Sequence, residues 1–421
     1  MARPVLEREL TGSRAHSRGV GKVLPAEAGV STGTPALAGS TAQNQLPTSR
    51  ECAPGAHTAA VEFAVASQAD DADLRLLLRE NPMPGRISLS LEREPDYFAD
   101  ASLPGETKQT IVARNGGQVV CAGSCAIRQR FVNGAPRRVG YLGGLRLDSQ
   151  HAGRFDIVRR GYAFFHELQA QAPADFYFTS IAAGNERARK FLERALPGMP
   201  RYEFMVEFVT MVLPVCRTRP REKLPSAGAW PRGASELARL NNHGRLHQFA
   251  PCWSAAELNS LEALGLREHD FHSIRSCGKA NASAALWDQR NFKQTVVRGY
   301  SPALALGRPA FNVWARSVGR PPLPPIGGVV PNAFVSHLVV EADDPKGLIF
   351  LVAELRHFAS QRGIELLTLG FAANDPRLAT MCSHFRVREY RTRLYVVRWP
   401  DLGGAARELD GRILAPEAAL L

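Results

Sequence analysis

The sequence predicts a mixed α/β fold in two halves, each a mixed, mostly antiparallel sheet flanked by helices. Three observations carry that expectation. Alternating apolar residues broken by Asn115-Gly116-Gly117 and Asn133-Gly134 mark an antiparallel meander. A strand, a long helix and an apolar strand follow it, the unit of a right-handed crossover that builds a parallel pair. The same closing order then recurs toward the C-terminus: strand, short polar loop, long helix, apolar strand, Asn-led helix, final strand. That repetition implies an internal duplication.

Composition sets the bounds. The chain has 421 residues, enough at roughly 100–200 per domain for two or three domains. With 45% hydrophobic and 22% charged residues it can bury more than one core, which excludes a mainly disordered, collagen-like or disulfide-scaffold protein. No apolar run approaches the ~18 residues of a membrane-spanning helix, and no membrane partner is expected. The formal net charge of +12 is compatible with an anionic ligand, nucleic acid or a membrane surface and selects none of them. Only 7 of the 52 basic residues are Lys, so the Arg and Ala richness reads first as coding bias. Seven cysteines form no CxxC pair and no Cys/His group with zinc spacing, so no metal is expected. Reduced thiols and an N-terminus without a secretory apolar core point to the cytoplasm.

Residues 1–57 are rich in Ala, Gly, Pro, Ser, Thr and Arg without apolar period, and are expected to be a disordered tail. They read as a spurious extension or a partner-binding arm. The first domain is expected over 58–216. Its elements are a strand at 61–66, a helix led by Asp70-Asp71-Ala72-Asp73, and a short helix near 95–99. Strands follow at 109–114, 119–131 and 137–147, then a helix over 155–171, a strand at 176–181, a helix at 185–196 and a strand at 202–212. A basic, Pro-rich linker spans 217–232. Residues 217–300 hold 13 Lys/Arg against 7 Asp/Glu, so much of the excess charge lies in this region. The second domain is expected over 233–400, helical or irregular to 280. Two strands around a turn follow at 282–287 and 295–300, then a helix at 302–318. The closing run is a strand at 334–340, a helix at 347–362, a strand at 366–371, a helix at 374–384 and a strand at 388–397. Residues 401–421 form a C-terminal tail.

The most informative segment runs from Tyr141 to Phe155, where a strand ends, a short loop turns and a long helix starts. A helix start presents unpaired N–H groups and a positive dipole end, suited to pyrophosphate. Gly153 lets the backbone approach a phosphate closely, and Arg154, with Arg159 and Arg160, can add charge. The alternative is a plain loop with Gly at a turn. Gly143-Gly144 would allow a bulge in the preceding strand, or mark a packing contact. The stretch Trp287-Asp288-Gln289-Arg290-Asn291-Phe292-Lys293 reads as cleft lining or as a strand and turn with Trp287 buried.

The segment resembles the acetyl-CoA-binding motif of the GNAT N-acetyltransferase superfamily, [Q/R]-x-x-G-x-[G/A]. Here Gln150-x-x-Gly153-x-Phe155 matches the Gln and the first Gly, and Phe155 departs from the small final residue. Asn185-Glu186-Arg187-Ala188 is similar to the family's N-x-x-A helix start. The family often places a Tyr seven residues after that Asn, where this chain has Leu192. The resemblance implies two GNAT-like domains, the second degenerate. Asp344 stands there where the family has Gln or Arg, and as an N-cap it would occupy the N–H groups a pyrophosphate needs.

The resemblance implies an acetyl-CoA-dependent N-acyltransferase that acetylates a primary amine by direct attack in a ternary complex. Leu145, Arg146 and Leu147 would pair with the pantetheine. Gln150, Gly153, Arg154 and Phe155 would surround the pyrophosphate, and Asn185 would contact the CoA side. A backbone N–H near Gly144 or Leu145 would polarise the thioester carbonyl. A base or water relay must take the ammonium proton. Tyr141, Asp148 and Glu203 are candidates for acid–base work by position. The acceptor is expected to be a small-molecule or peptide amine. Nucleic acid is not expected as a partner, since no recognition motif appears. Two alternatives remain: a CoA-binding sensor that kept the fold without the chemistry, and a Fem-type aminoacyl transferase, which would need charged tRNA. No G-x-S-x-G, HExxH or GxxxxGK[ST] motif suggests another chemistry.

Overall fold

The computed structural model describes residues 61–100, 106–215, 234–276, 279–341, 344–399, 401 and 408–421. The expected tail at 1–57 and the linker at 217–232 lie outside the described residues.

The first half runs β1 (Glu62–Val65), α1 (Asp71–Glu80), β2 (Ile87–Glu92), β3 (Glu106–Asn115), β4 (Gln118–Val132) and β5 (Ala135–Leu147). It continues with α2 (Phe155–Gln169), β6 (Phe176–Ala182), α3 (Glu186–Leu192) and β7 (Arg201–Pro214). The second half holds α4 (Ala234–Gly244), α5 (Ala255–Ser260), β8 (Phe271–Ser276), β9 (Lys279–Trp287), β10 (Gln294–Tyr300) and α6 (Pro302–Ser317). It closes with β11 (Asn332–Val340), α7 (Pro345–Gln361), β12 (Leu366–Ala372), α8 (Pro376–His384) and β13 (Arg388–Arg398). Among the described residues no helix is long and apolar enough to cross a membrane.

Both halves share one 11-stranded sheet, ordered β1-β3-β4-β5-β6-β13-β7-β12-β11-β9-β8. It is mostly antiparallel. The parallel pairs are β5 with β6 and β11 with β12, one per half, each joined by a crossover helix. The last strands are interleaved: β13 of the second half lies between β6 and β7 of the first, and β7 pairs onward to β12. The crossover helices bury one stripe each. In α2 it is Ile157, Val158 and Phe165; in α7 it is Leu348, Leu351, Val352, Leu355 and Ala359, at helical spacing.

Four local expectations change. Residues 95–99 form turns rather than a helix. The Ile87–Glu92 segment, unassigned from sequence, is a strand. The 282–287 and 295–300 strands do not pair with each other: β9 pairs with β8 and β11, whereas β10 pairs with β2 in a separate two-stranded sheet. The region before residue 280 contributes the edge strand β8 as well as helices. The C-terminal residues are packed into the body. Leu414 and Ala419 are buried, and Gln248 exchanges backbone hydrogen bonds with Ile413 and Ala415.

Candidate active site

The parallel ladder of β5 and β6 is short. It runs from Val139↔Phe176 to Leu142↔Thr179 and stops. The Thr179 hydroxyl donates to the Leu142 carbonyl at 2.6 Å, which closes the paired part. A bulge follows at Gly144–Leu145, where β5 shifts register against β4. Gly144 has φ +67°, a conformation that a side chain disfavours. Past the bulge β5 follows β4 and β6 follows β13, so the two strands part into a fork. The Gly143–Leu147 edge of β5 thereby loses its β6 partner, while side chains meet two of its carbonyls: Ser124 Oγ donates to Gly143 at 3.2 Å and Arg146 Nη1 to Leu145 at 3.0 Å.

The fork opens into a cavity of about 1510 Å³ lined by both halves. Gly143, Gly144, Leu145, Arg146, Ser180, Gly184 and Asn185 line its fork end. Asn185 is also the N-cap of α3, its Oδ1 accepting from the Ala188 N–H at 3.2 Å. Ile157, Val158 and Gly161 of α2 form the floor. At the apex the hydroxyls of Tyr141 and Ser180 stand 2.8 Å apart. Burial raises the Tyr141 phenol above its ordinary range, which keeps it protonated and able to donate.

The motif loop sits outside this lining. Gln150 and Gly153 are exposed on the turn leading into α2, and Gly153 has φ +110°. Asp148 caps the preceding 3-10 turn by accepting from the Gln150 N–H at 2.8 Å. The start of α2 has no side-chain cap. Arg154 is tied to Asp156 by two hydrogen bonds of 2.8 Å, so its charge is already paired. The Phe155 ring turns out of the loop and stacks on Phe191 of α3 at 4.4 Å, with the Arg187 guanidinium 5.4 Å from its centroid. Leu147 packs beneath the loop among core residues. Glu203 lies on β7, half exposed and paired with Arg398 at 2.8 Å, away from the cavity lining. Of the three acid–base candidates, Tyr141 alone lines the cavity.

Several cavity residues were not singled out from sequence. Arg93 and Lys108 both bind Asp100, at 2.6 and 2.5 Å. Burial opposes its ionisation, but these two cations hold the Asp100 carboxyl well below the usual carboxylate range. Glu106 lies 3.8 Å from Arg128, whose guanidinium stacks on Trp253. Lys293, partly buried, is pushed down to about 7 by desolvation and then by the charge of Arg93. Its ammonium donates to the Leu421 carbonyl at 2.6 Å. The 287–293 stretch meets both of its readings, since Trp287 is buried and also lines the cavity with Phe292 and Lys293.

The second half repeats the fork in altered form. β11 and β12 are paired from Asn332↔Leu366 to Phe334↔Thr368 and then part. Residues 417–421 pack where they part. The Glu417 carboxylate accepts from the His337 N–H at 2.9 Å, and the Ala418 Cβ lies 3.1 Å from where a Cβ on Gly370 would be. The start of α7 is capped by Asp344, whose Oδ1 accepts from the Gly347 N–H at 2.8 Å while Asn281 holds Oδ2 at 3.2 Å.

No family model matches the sequence, and no curated protein matches it. Solved structures do. A GCN5-related N-acetyltransferase from Sphaerobacter thermophilus matches with a TM-score of 0.51 at 12% identity, over 82% of this chain and 97% of that one. The N-myristoyltransferase of Saccharomyces cerevisiae, solved with bound myristoyl-CoA, matches with a TM-score of 0.51 at 10% identity, over 84% of this chain and 87% of that one. At these identities the likeness is one of fold, and the fold is that of the GNAT acyltransferases.

Proposed function

We propose that this chain is an acyl-CoA-dependent N-acyltransferase, cytoplasmic, that holds its thioester in the first fork and transfers an acetyl group to a primary amine. The observation that carries the reading is the opening between β5 and β6 past Leu142 and Thr179, continuous with a cavity large enough for a second substrate. GNAT-fold neighbours, one with an acyl-CoA bound, support acyl-CoA as the donor.

In this reading the Gly143–Leu147 edge of β5, which has no strand partner on the β6 side, pairs with the pantetheine amides, as an added strand would. Asn185 lies beside the same channel. The start of α2, where the N-cap Arg154 makes no side-chain cap, receives the pyrophosphate with Gln150 and Gly153 before it. The amine nitrogen attacks the thioester carbonyl carbon, and the Gly144 or Leu145 N–H takes the developing oxyanion. The C–S bond then breaks, the thiolate receives the Tyr141 proton, and the second proton shed by the new amide nitrogen returns Tyr141 to the phenol. A water relay takes the proton that the ammonium must lose before attack. Holding both reactants in one cavity supplies much of the rate.

Calorimetric titration with acetyl-CoA and a thiol-release assay over an amine panel test this reading. One-to-one binding with amine-dependent CoA release is expected. No binding overturns the donor assignment, and binding without turnover on any amine marks a sensor instead. Tyr141→Phe is expected to lower kcat about 100-fold with acetyl-CoA affinity unchanged.

A further inference from the structure

The helix α6 buries little of itself. Asn312 and Ala315 are its buried residues, on one side. The Asn312 amide donates to the Leu323 carbonyl at 3.0 Å and accepts from the Leu323 N–H at 2.7 Å, which fastens the helix to the turn that follows it. On the opposite side stand Leu306, 87% exposed, and Val313, 68% exposed, seven residues apart on one stripe with Ala310 between them. Val318 past the helix end, and Ile326 and Val329 in the next turn, are exposed as well. None of these residues lines the cavity, so they face solvent outside it. A helix packed by one side normally turns polar and charged residues to water. Here aliphatic side chains take that place. At the edge of the stripe, Phe311 and Trp314 line the cavity, and Trp314 is 44% exposed.

The charge around the stripe has one sign. Residues 289–340 contain no Asp or Glu. Of the arginines in that run, Arg290 and Arg298 are paired with Asp288 and Glu92. Arg308, Arg316 and Arg320 are in no ion pair among the described residues; Arg308 and Arg320 rest on the rings of Tyr300 and Trp314, at 5.6 and 5.0 Å. The exposed Arg86 stands at the helix start, where its carbonyl accepts from the Ser301 N–H at 2.9 Å. This combination narrows the occupant. A second copy docked here about a two-fold axis would bring the same arginines together with no acid from this segment to meet them. An anionic lipid surface answers both parts. Its phosphates meet the guanidinium groups, while the aliphatic stripe and the Trp ring enter the boundary beneath the headgroups.

We propose that the outward face of α6 seats on an anionic lipid surface, which sets the Phe311 and Trp314 part of the cavity wall against the bilayer. Such a helix lies on the membrane rather than through it, so it needs no long apolar run, and its 16 residues suffice. The expectation of no membrane partner rested on that run alone. The association is separate from acyl transfer and holds whichever donor the fork takes.

The test floats the full chain with vesicles of phosphatidylcholine alone and of equimolar phosphatidylcholine and phosphatidylglycerol. Binding to the anionic vesicles is expected to be at least about tenfold tighter and to weaken as salt is added. Leu306→Gln with Val313→Gln is expected to weaken it about tenfold. Arg316→Glu with Arg320→Glu is expected to weaken it about 30-fold. All four side chains are exposed, so both double variants are expected to keep the circular dichroism and melting temperature of the parent. Tryptophan emission is expected to shift to the blue when anionic vesicles are added, and Trp314→Phe to remove the shift. No binding to either vesicle, equal binding to both, or unchanged binding in either double variant overturns the proposal. A dimer of the parent in sedimentation equilibrium that Leu306→Gln with Val313→Gln dissociates also overturns it, because a second copy then covers the stripe.

Discussion

The first fork parts after Leu142 and Thr179, the second after Phe334 and Thr368, and each is followed by a crossover helix. From there they diverge. In the first, a bulge at Gly144 bends β5 away and the α2 start has no side-chain cap. In the second, Glu417 and Ala418 pack into the opening, and Asp344 takes the Gly347 N–H at the α7 start. One supersecondary unit is therefore left open or filled by packing, according to a few residues at its mouth. An anion and a capping carboxylate compete for the same N–H groups.

The comparison breaks most sharply at the two helix starts. Gly153→Glu is expected to weaken acetyl-CoA binding at least about 100-fold, because it adds a carboxylate at the proposed pyrophosphate position and a side chain at φ +110°. Lys346→Glu, at the matching place before α7, is expected to leave that affinity within about twofold, with calorimetry reading both. A loss from Lys346→Glu would move the cofactor to the second half.

Glu417→Ala removes the acceptor of the His337 N–H and is expected to cost about 2 kcal/mol in urea unfolding. The stoichiometry for acetyl-CoA is expected to stay at one.

Acid supplies a third separation. Burial pushes His243 down to about 3 and His272 to about 4, and also lowers His247 and His337; all four lie in the second half. An unfolded histidine takes its proton near 6.5, before the folded one does. Their contribution is intact above that pH and is lost as pH falls from about 6.5 toward 4. A drop on the order of 2 kcal/mol is expected between pH 7 and 5. Hydrogen exchange is expected to rise first in β8, β9 and β11.

The smallest effect is expected from Asp344→Ala. Loss of the α7 cap costs about 1 kcal/mol in unfolding, without creating a second CoA site.

Sequence reasoning served these regions unequally. The closing run of the second half was legible almost to the residue, because its helices and strands carry local periods and caps. Asp344 was readable as a cap for the same reason. The β2 strand was missed although Ile87-Ser88-Leu89-Ser90-Leu91-Glu92 alternates with period two, because its partner lies at Gln294–Tyr300 and no nearby turn announces the pairing. The same distant pairing explains why 282–287 and 295–300 looked like neighbours. The charged wall was invisible for a related reason. Arg93, Asp100, Lys108, Arg128 and Lys293 are spread over 200 positions, and nothing in their spacing announces that they share a cavity. Glu203 sits on β7 paired with Arg398 and away from the cavity lining, because its place along the chain does not fix which face of the strand the side chain takes.

The interleaving of β13 between β6 and β7 has a consequence for biosynthesis. When the ribosome has made the first half, the β6 edge that will face β13 has no partner, and that partner lies about 200 residues further on. At roughly 5–20 residues per second, the wait is on the order of 10–40 s. During it an apolar strand edge, Phe176–Ala182, is exposed to any other nascent chain. The sheet that creates the fork is completed only when β13, the last of its described strands, enters between β6 and β7.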